Sequence, residues 1–356
     1  MKKTFLFFIF AFLMQSLFCQ HFVRSGGTYA NLKFKELELI KTVPTDSQPK
    51  QICFHASKKE FYVAAMNDAV DRGKNGLSPG SLQIFSLPKG KLLHREPSHT
   101  SVECLVWKDT IFYSDMFRDE IVFFDLKKRQ VIRRARIKEP ELYEEGRGHF
   151  HFMPKFIALT PNNKQLAVSH WLGGISILEI ETGKLQMRVP KFCEHPRGLH
   201  YNSSGKLIVL CYGVPDGPGK ILLLDPEKNY SMIHQILAGG SPRHIVPTGP
   251  DRALISNLNS GQIYEFDTLN FKILRQIRVS GQPNTIVLDS DGSHLYISLR
   301  GIDQLAVLSL DQWKIVQRYN TGDYPTGMAA SPDGKFLIIS NFHDASVNLY
   351  KIIRSK

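Results

Sequence analysis

The sequence predicts an all-β fold: a seven-bladed β-propeller of four-stranded antiparallel blades, with the N-terminal strand closing the last blade. Three observations predict it. A unit of about 42 residues recurs seven times along the chain. Each copy carries short segments in which apolar residues alternate with polar ones, the two-residue period of a strand. The last copy also ends one strand short, while the N-terminus carries one strand too many.

First strands open at Pro49, Val102, Pro154, Pro196, Pro242, Pro283 and Pro325, at spacings of 53, 52, 42, 46, 41 and 42 residues. Three places on, every copy is apolar: Ile52, Leu105, Ile157, Leu199, Ile245, Ile286 and Met328. Turns follow in most copies, clearest at Asp291-Gly292 and Ser331-Pro332-Asp333-Gly334, where Pro presets φ and Gly accepts φ > 0. Second strands are nearly unbroken apolar runs, such as QLAVSH (165–170) and RALISN (252–257), suited to a sheet covered on both faces. Third strands alternate in all copies, from SLQIFS (81–86) to SVNLYK (346–351). Fourth strands are more polar, as in FKILRQIRV (271–279). The surplus segment Phe34–Ile40 matches 271–277 in its apolar positions, so it completes the last sheet and leaves the ring without a large open edge.

These residues carry a resemblance. Ser331-Pro332-Asp333-Gly334-Lys335-Phe336-Leu337-Ile338-Ile339-Ser340-Asn341, Ala253-Leu254-Ile255-Ser256-Asn257 and Leu295-Tyr296-Ile297-Ser298 resemble the second-strand motif of YVTN-type β-propeller repeat proteins, a family of exported surface-layer and YncE-like chains. The resemblance spans about 34–356 and is strongest in the last three copies. It implies architecture and export. Activity does not follow from it, because the fold serves binders, lactonases and redox enzymes alike.

Residues 1–19 read as a signal peptide, with Lys2 and Lys3 ahead of the apolar core Phe5–Met14, which is too short to span a bilayer as a helix. Residues 20–33 form an N-terminal extension and 34–356 the propeller. The expected location is periplasm or cell surface. Cys19 offers a lipid anchor, although Phe18 is large where a lipobox wants a small residue; ordinary cleavage is the alternative. No later apolar run reaches spanning length. The other cysteines are Cys53, Cys104, Cys193 and Cys211, and no C-x-x-C or C-x-x-C-H occurs, which argues against thioredoxin-like chemistry and attached haem. Export permits disulfides. Cys193–Cys211 is the candidate pair, against buried free thiols.

The net charge is +12, and +10 without Lys2 and Lys3, which favours anionic partners or a generally basic surface. The longest departures from the repeat, 67–80, 138–152 and 212–219, all fall on the face where second strands end, as a binding face would. The residue after each strand opener should ring the channel there: Lys50, Glu103, Lys155, Arg197, Arg243, Asn284 and Thr326. Four of these seven are basic, against about one expected from overall Lys+Arg content. Together with His170, Asn257 and Asn341, which end second strands, Lys50, Lys155, Arg197 and Arg243 are the candidate ligand-binding set, for an anionic small molecule, glycan or envelope protein.

No cofactor is expected. A divalent metal could be drawn by Glu144, Glu145, His149 and His151, with His170, His195, His244, His343, Asp115 and Asp119 on the same face, but this spacing matches no established metal motif. A lactonase-like hydrolase at the top of the channel is the alternative function, with Asp115, Asn257 and Asn341 as its candidate polar groups. No nucleophile elbow, H-E-x-x-H, P-loop or G-x-G-x-x-G occurs. The basic run Lys127-Lys128-Arg129 and Arg133-Arg134-Ala135-Arg136, with Trp171, Tyr212 and Phe342 as stacking surfaces, raises nucleic acid. Export makes it an unlikely physiological target, and a charged blade edge is the plainer reading.

Overall fold

Each repeat folds as an antiparallel meander. Seven four-stranded sheets account for the strands of this computed structural model, which describes residues 33–66, 80–137, 152–213 and 217–355. Blade one, for example, runs Pro49–Phe54, Glu60–Ala65, Ser81–Ser86 and Leu92–Pro97. No α-helix occurs among the described residues. Middle strands are buried on both faces, as at His294–Leu299 and Gln304–Ser309, whereas the outer strand Lys314–Asn320 alternates exposed and half-buried residues. Neighbouring blades bury their faces against each other, giving one apolar cluster per blade interface, seven in all.

The ring closes between the chain ends. Lys33–Pro44 pairs antiparallel with Ser346–Ser355, placing Leu37 opposite Ile352 and Val43 opposite Val347. Leu37 and Val43 are buried in the clusters on either side of this last blade, while Leu39 and Ile40 face solvent. The pairing runs on to Pro44, beyond the apolar match that ends at Ile40.

A register break follows the opening residue of every first strand, at Pro49, Ser101, Pro154, Pro196, Pro242, Pro283 and Pro325. Blade two therefore opens at Ser101, paired with Asp115, and not at Val102. Val102 thus takes the ring position expected for Glu103, and Glu103 moves one place further along the strand. The break matters because a bulged residue leaves the ladder and re-aims its side chain. It also frees a backbone N–H that must be satisfied. In five blades a serine at the end of the second strand accepts it: Glu103 N to Ser114 Oγ at 3.1 Å, Phe156 to Ser169 at 3.1 Å, His244 to Ser256 at 3.1 Å, Thr285 to Ser298 at 2.9 Å, and Gly327 to Ser340 at 2.7 Å. Several of these hydroxyls reach the next blade. Ser256 donates to the Asn284 carbonyl at 2.8 Å, Ser298 lies 3.2 Å from that of Thr326, and Ser340 lies 2.9 Å from that of Lys50. Approach is closest between blades seven and one, where a Cβ at Gly327 would run into the Lys50 carbonyl oxygen.

Two disulfides are formed. Cys193–Cys211 is the candidate pair; Cys53–Cys104 joins the first strands of blades one and two and was not expected.

Ser298 is fully buried. Ser298→Ala strands the Thr285 N–H, and the expected loss is about 1–3 kcal/mol in urea unfolding. A wild-type midpoint would show that the hydroxyl does not carry the bulge.

Candidate functional site

Two rings of side chains meet at one mouth of the channel. The first consists of the residues released by the bulges: Lys50, Val102, Lys155, Arg197, Arg243, Asn284 and Thr326. The second consists of the residue that follows each second strand: Met66, Met116, Trp171, Tyr212, Leu258, Arg300 and Phe342. Every member of the second ring donates its backbone N–H, at 2.9–3.2 Å, to the carbonyl of the residue that precedes the first strand of its own blade. That geometry fixes the chain reversal, and it fixes where the side chain projects. All of the first ring and all of the second except Leu258 line a single cavity of about 370 Å³.

Four cations on this wall rest on aromatic rings. Lys50 Nζ lies 4.3 Å from the Phe342 centroid, and Lys155 Nζ lies 5.0 Å from that of Trp171. The Arg197 guanidinium sits between Trp171 at 3.9 Å and Tyr212 at 5.2 Å, and that of Arg300 lies 4.9 Å from Tyr324. Such contacts orient a cation without neutralising it. Among the described residues no carboxylate forms an ion pair with Lys50, Lys155, Arg197, Arg243 or Arg300. Arg197 is buried, and its Nε and Nη1 find no hydrogen-bond partner there. Burial, followed by the neighbouring guanidinium groups, holds the Lys50 and Lys155 ammonium groups well below the usual lysine range. Burial, followed by Arg243, holds the Arg197 guanidinium well below the usual arginine range, and burial, followed by Arg300, takes Arg243 down to about 10.

Among the described residues, Glu103 is the one carboxylate on the wall. It accepts from the Cys104 N–H at 3.2 Å, yet burial outweighs that bond and the attraction of Arg243, and pushes its carboxyl up to about 8. His244 also lines the cavity; burial and Arg243 take its imidazole down to about 4, so it is neutral.

Four of the seven expected binding residues, Lys50, Lys155, Arg197 and Arg243, come together on this wall. The other three do not reach it. His170, Asn257 and Asn341 each precede a second-ring residue by one position, and adjacent strand residues point to opposite sides. Asn341 instead holds the loop before its blade, accepting from Gly322 N at 3.1 Å, and donates to Ser346 at 2.9 Å. Asn257 donates to Tyr264 Oη at 3.0 Å and to the Ala238 carbonyl. His170 packs on Phe152, and burial drives its pKa down to about 3. Asp115, at the same position in blade two, accepts from Ser98 Oγ and from the backbone N–H groups of His99 and Thr100 at 3.0–3.1 Å. These residues are braces for the loops between blades. Arg300, Met66 and Met116 were missed, although Trp171, Tyr212 and Phe342 mark the same position.

Glu144, Glu145, His149 and His151 lie outside the described residues, as do the leader and most of the three long loops. Of the remaining metal candidates, His195 Nδ1 bonds the Trp171 carbonyl at 2.6 Å and His343 pairs with Asp323 at 3.3 Å. Asp289, Asp291 and His294 gather in a turn of blade six, where Arg354 already serves as their cation, at 2.6 and 2.9 Å from the two carboxylates. The basic run on blade two is largely paired: Lys127 with Asp109, Arg129 with Glu60, Arg134 and Arg136 with Glu120. No helix among the described residues is long and apolar enough to cross a membrane.

Comparison with known proteins agrees with the geometry. Residues 238–356 match the family model of the seven-bladed β-propeller lactonases. The chain is 27% identical to antigen Lp49 of Leptospira interrogans over 217 residues, 55% of this chain and 47% of that protein. It is 22% identical to the YncE protein of Salmonella typhimurium over 171 residues, 47% of each. The chain thus spans about half the length of the curated relatives it matches. Solved structures of the same fold include a chain of Kuenenia stuttgartiensis hydrazine synthase (TM-score 0.70, 15% identity, covering 88% of this chain and 97% of that one). Another is the Cps50 (Swd1) β-propeller domain of Myceliophteria thermophila (TM-score 0.70, 11% identity, covering 89% and 100%). The relatives and the family model bear out the likeness to YncE-like seven-bladed propellers.

Because Glu103 is protonated in the fold well above its ordinary value of 4.5, the native state binds a proton that the unfolded chain has released. Its contribution is fully present below pH 4.5 and is lost as pH rises towards 8. Stability of the wild type relative to Glu103→Gln should therefore fall across that window, read from urea midpoints at each pH. Parallel profiles would place an ionised carboxylate in the cavity.

Proposed function

We propose that this chain is an exported binding protein whose channel mouth takes an anionic ligand. The observation that carries this reading is the set of five cations, Lys50, Lys155, Arg197, Arg243 and Arg300, gathered on one wall with no carboxylate paired to any of them among the described residues. Like charges held together in a buried cavity repel, and an entering anion relieves that repulsion. Arginine suits carboxylate or phosphate through paired N–H donors. A cavity of about 370 Å³ fits a small molecule or the terminal unit of a glycan. Two disulfides support a location outside the reducing cytosol, at the periplasm or cell surface.

A hydrolase at the same mouth is the second reading, favoured by the lactonase family match over 238–356. There Glu103, with its carboxyl near 8, would take a proton from water only in its ionised form, so turnover should rise as pH approaches 8.

Calorimetric titration with acetate, phosphate and citrate tests the first reading. Citrate should bind tightest, and Arg197→Ala/Arg243→Ala should weaken it at least about tenfold. Equal affinity in the double variant would overturn the reading. Hydrolysis of a sugar lactone, with divalent metal present and lost in Glu103→Gln, would favour the second; no turnover removes it.

A further inference from the structure

Seven apolar clusters serve the seven blade interfaces. An eighth does not. Met66, Val102 and Met116, with Phe117, Met153 and Phe342 packed against them, form a separate cluster at the channel mouth. It is built from the two rings and their neighbours in blades seven, one, two and three, and all six residues line the cavity. Met66, Val102 and Met116 are buried there, and Phe117, Met153 and Phe342 are half-buried, so this side of the mouth is apolar.

The wall is thus divided around the ring. Arg197, Arg243 and Arg300 stand on the consecutive blades four, five and six. The methionine and phenylalanine arc occupies the opposite side, with Lys50 and Lys155 within and beside it. Inorganic anions would use only the first arc. A ligand that uses both must carry an anionic head and an apolar body. Methionine, unbranched and polarisable, fits chains of variable shape better than a β-branched wall would.

Building on the anion-binding reading above, we infer that the ligand is an amphiphilic anion, an acyl or similar apolar chain ending in a carboxylate. The head sits among Arg197, Arg243 and Arg300, and the chain lies on Met66, Val102, Met116 and Phe117.

The test is a calorimetric series of straight-chain carboxylates from acetate to octanoate, held below micelle-forming concentrations, with inorganic phosphate as the head-only probe. Each buried methylene should tighten binding up to about fourfold, so octanoate should bind at least about tenfold tighter than butyrate. Met66→Gln/Met116→Gln should flatten the dependence of affinity on chain length. Arg243→Ala should weaken every member of the series. Phosphate or citrate binding with no dependence on chain length overturns this inference and leaves the anion site standing. No binding of any anion overturns both. The wild-type series decides between these outcomes even where a variant fails to fold.

Discussion

A buried serine hydroxyl that accepts from one blade and reaches the next is the contact on which the mouth depends. The bulge behind each first-ring residue turns its side chain out of the ladder, but it also leaves an amide without its strand partner. An unpaired buried N–H costs about 1–3 kcal/mol. Ser114, Ser169, Ser256, Ser298 and Ser340 remove the cost in their blades. Because Ser256, Ser298 and Ser340 also lie at hydrogen-bond distance from the carbonyl of the following blade's ring residue, each ring position is set by its neighbour. The sheets supply a scaffold, and this contact fixes where the cations stand on it.

Electrostatics then explains why those cations lean on aromatic rings. A carboxylate partner would satisfy a buried guanidinium but would also occupy the site and cancel its field. Trp171, Tyr212 and Phe342 give up to about 2 kcal/mol per desolvated contact and leave the charge available. Glu103 fits the same logic. Near neutral pH it is largely protonated, so this acid subtracts little from the positive potential of the wall. The apolar arc lowers the local dielectric further, which strengthens attraction for an anion and repulsion among the cations together.

The strand pattern and the closing latch were legible in the sequence because they rest on periodicity, which one chain displays by itself. Lys50, Lys155, Arg197 and Arg243 were legible for the same reason, being tied to a proline that recurs. Blade two misled by one residue, since Val102 is as apolar as an opener should be and Ser101 is not a proline. That slip exchanged Glu103 for Val102 in the ring. The same one-residue sensitivity separates His170 and Asn341, which brace the loops between blades, from Trp171 and Phe342, which follow them and line the cavity: a strand changes side at every step. Cys53–Cys104 was beyond reach because it pairs strands 51 residues apart, through a closeness that only the stacking of blades one and two creates.

Both disulfides fall where the serine contact is missing. At the serine position blade one has Ala64 and blade four has Leu210, neither of which can accept an amide hydrogen. Cys53, in the first strand of blade one, is bonded across to blade two, next to Glu103. Cys211, ending the second strand of blade four, is bonded to Cys193 in the loop that leads to Arg197. Blade four also places Gly198 at the bulge, where an added Cβ would press against the Arg243 carbonyl, so the backbones there approach without a hydroxyl between them. Covalent links thus stand in the two blades that lack the polar one, and both are adjacent to wall residues of the cavity. A reducing environment would loosen the mouth at Arg197 first, because the Lys50 carbonyl keeps its contact with Ser340 of blade seven.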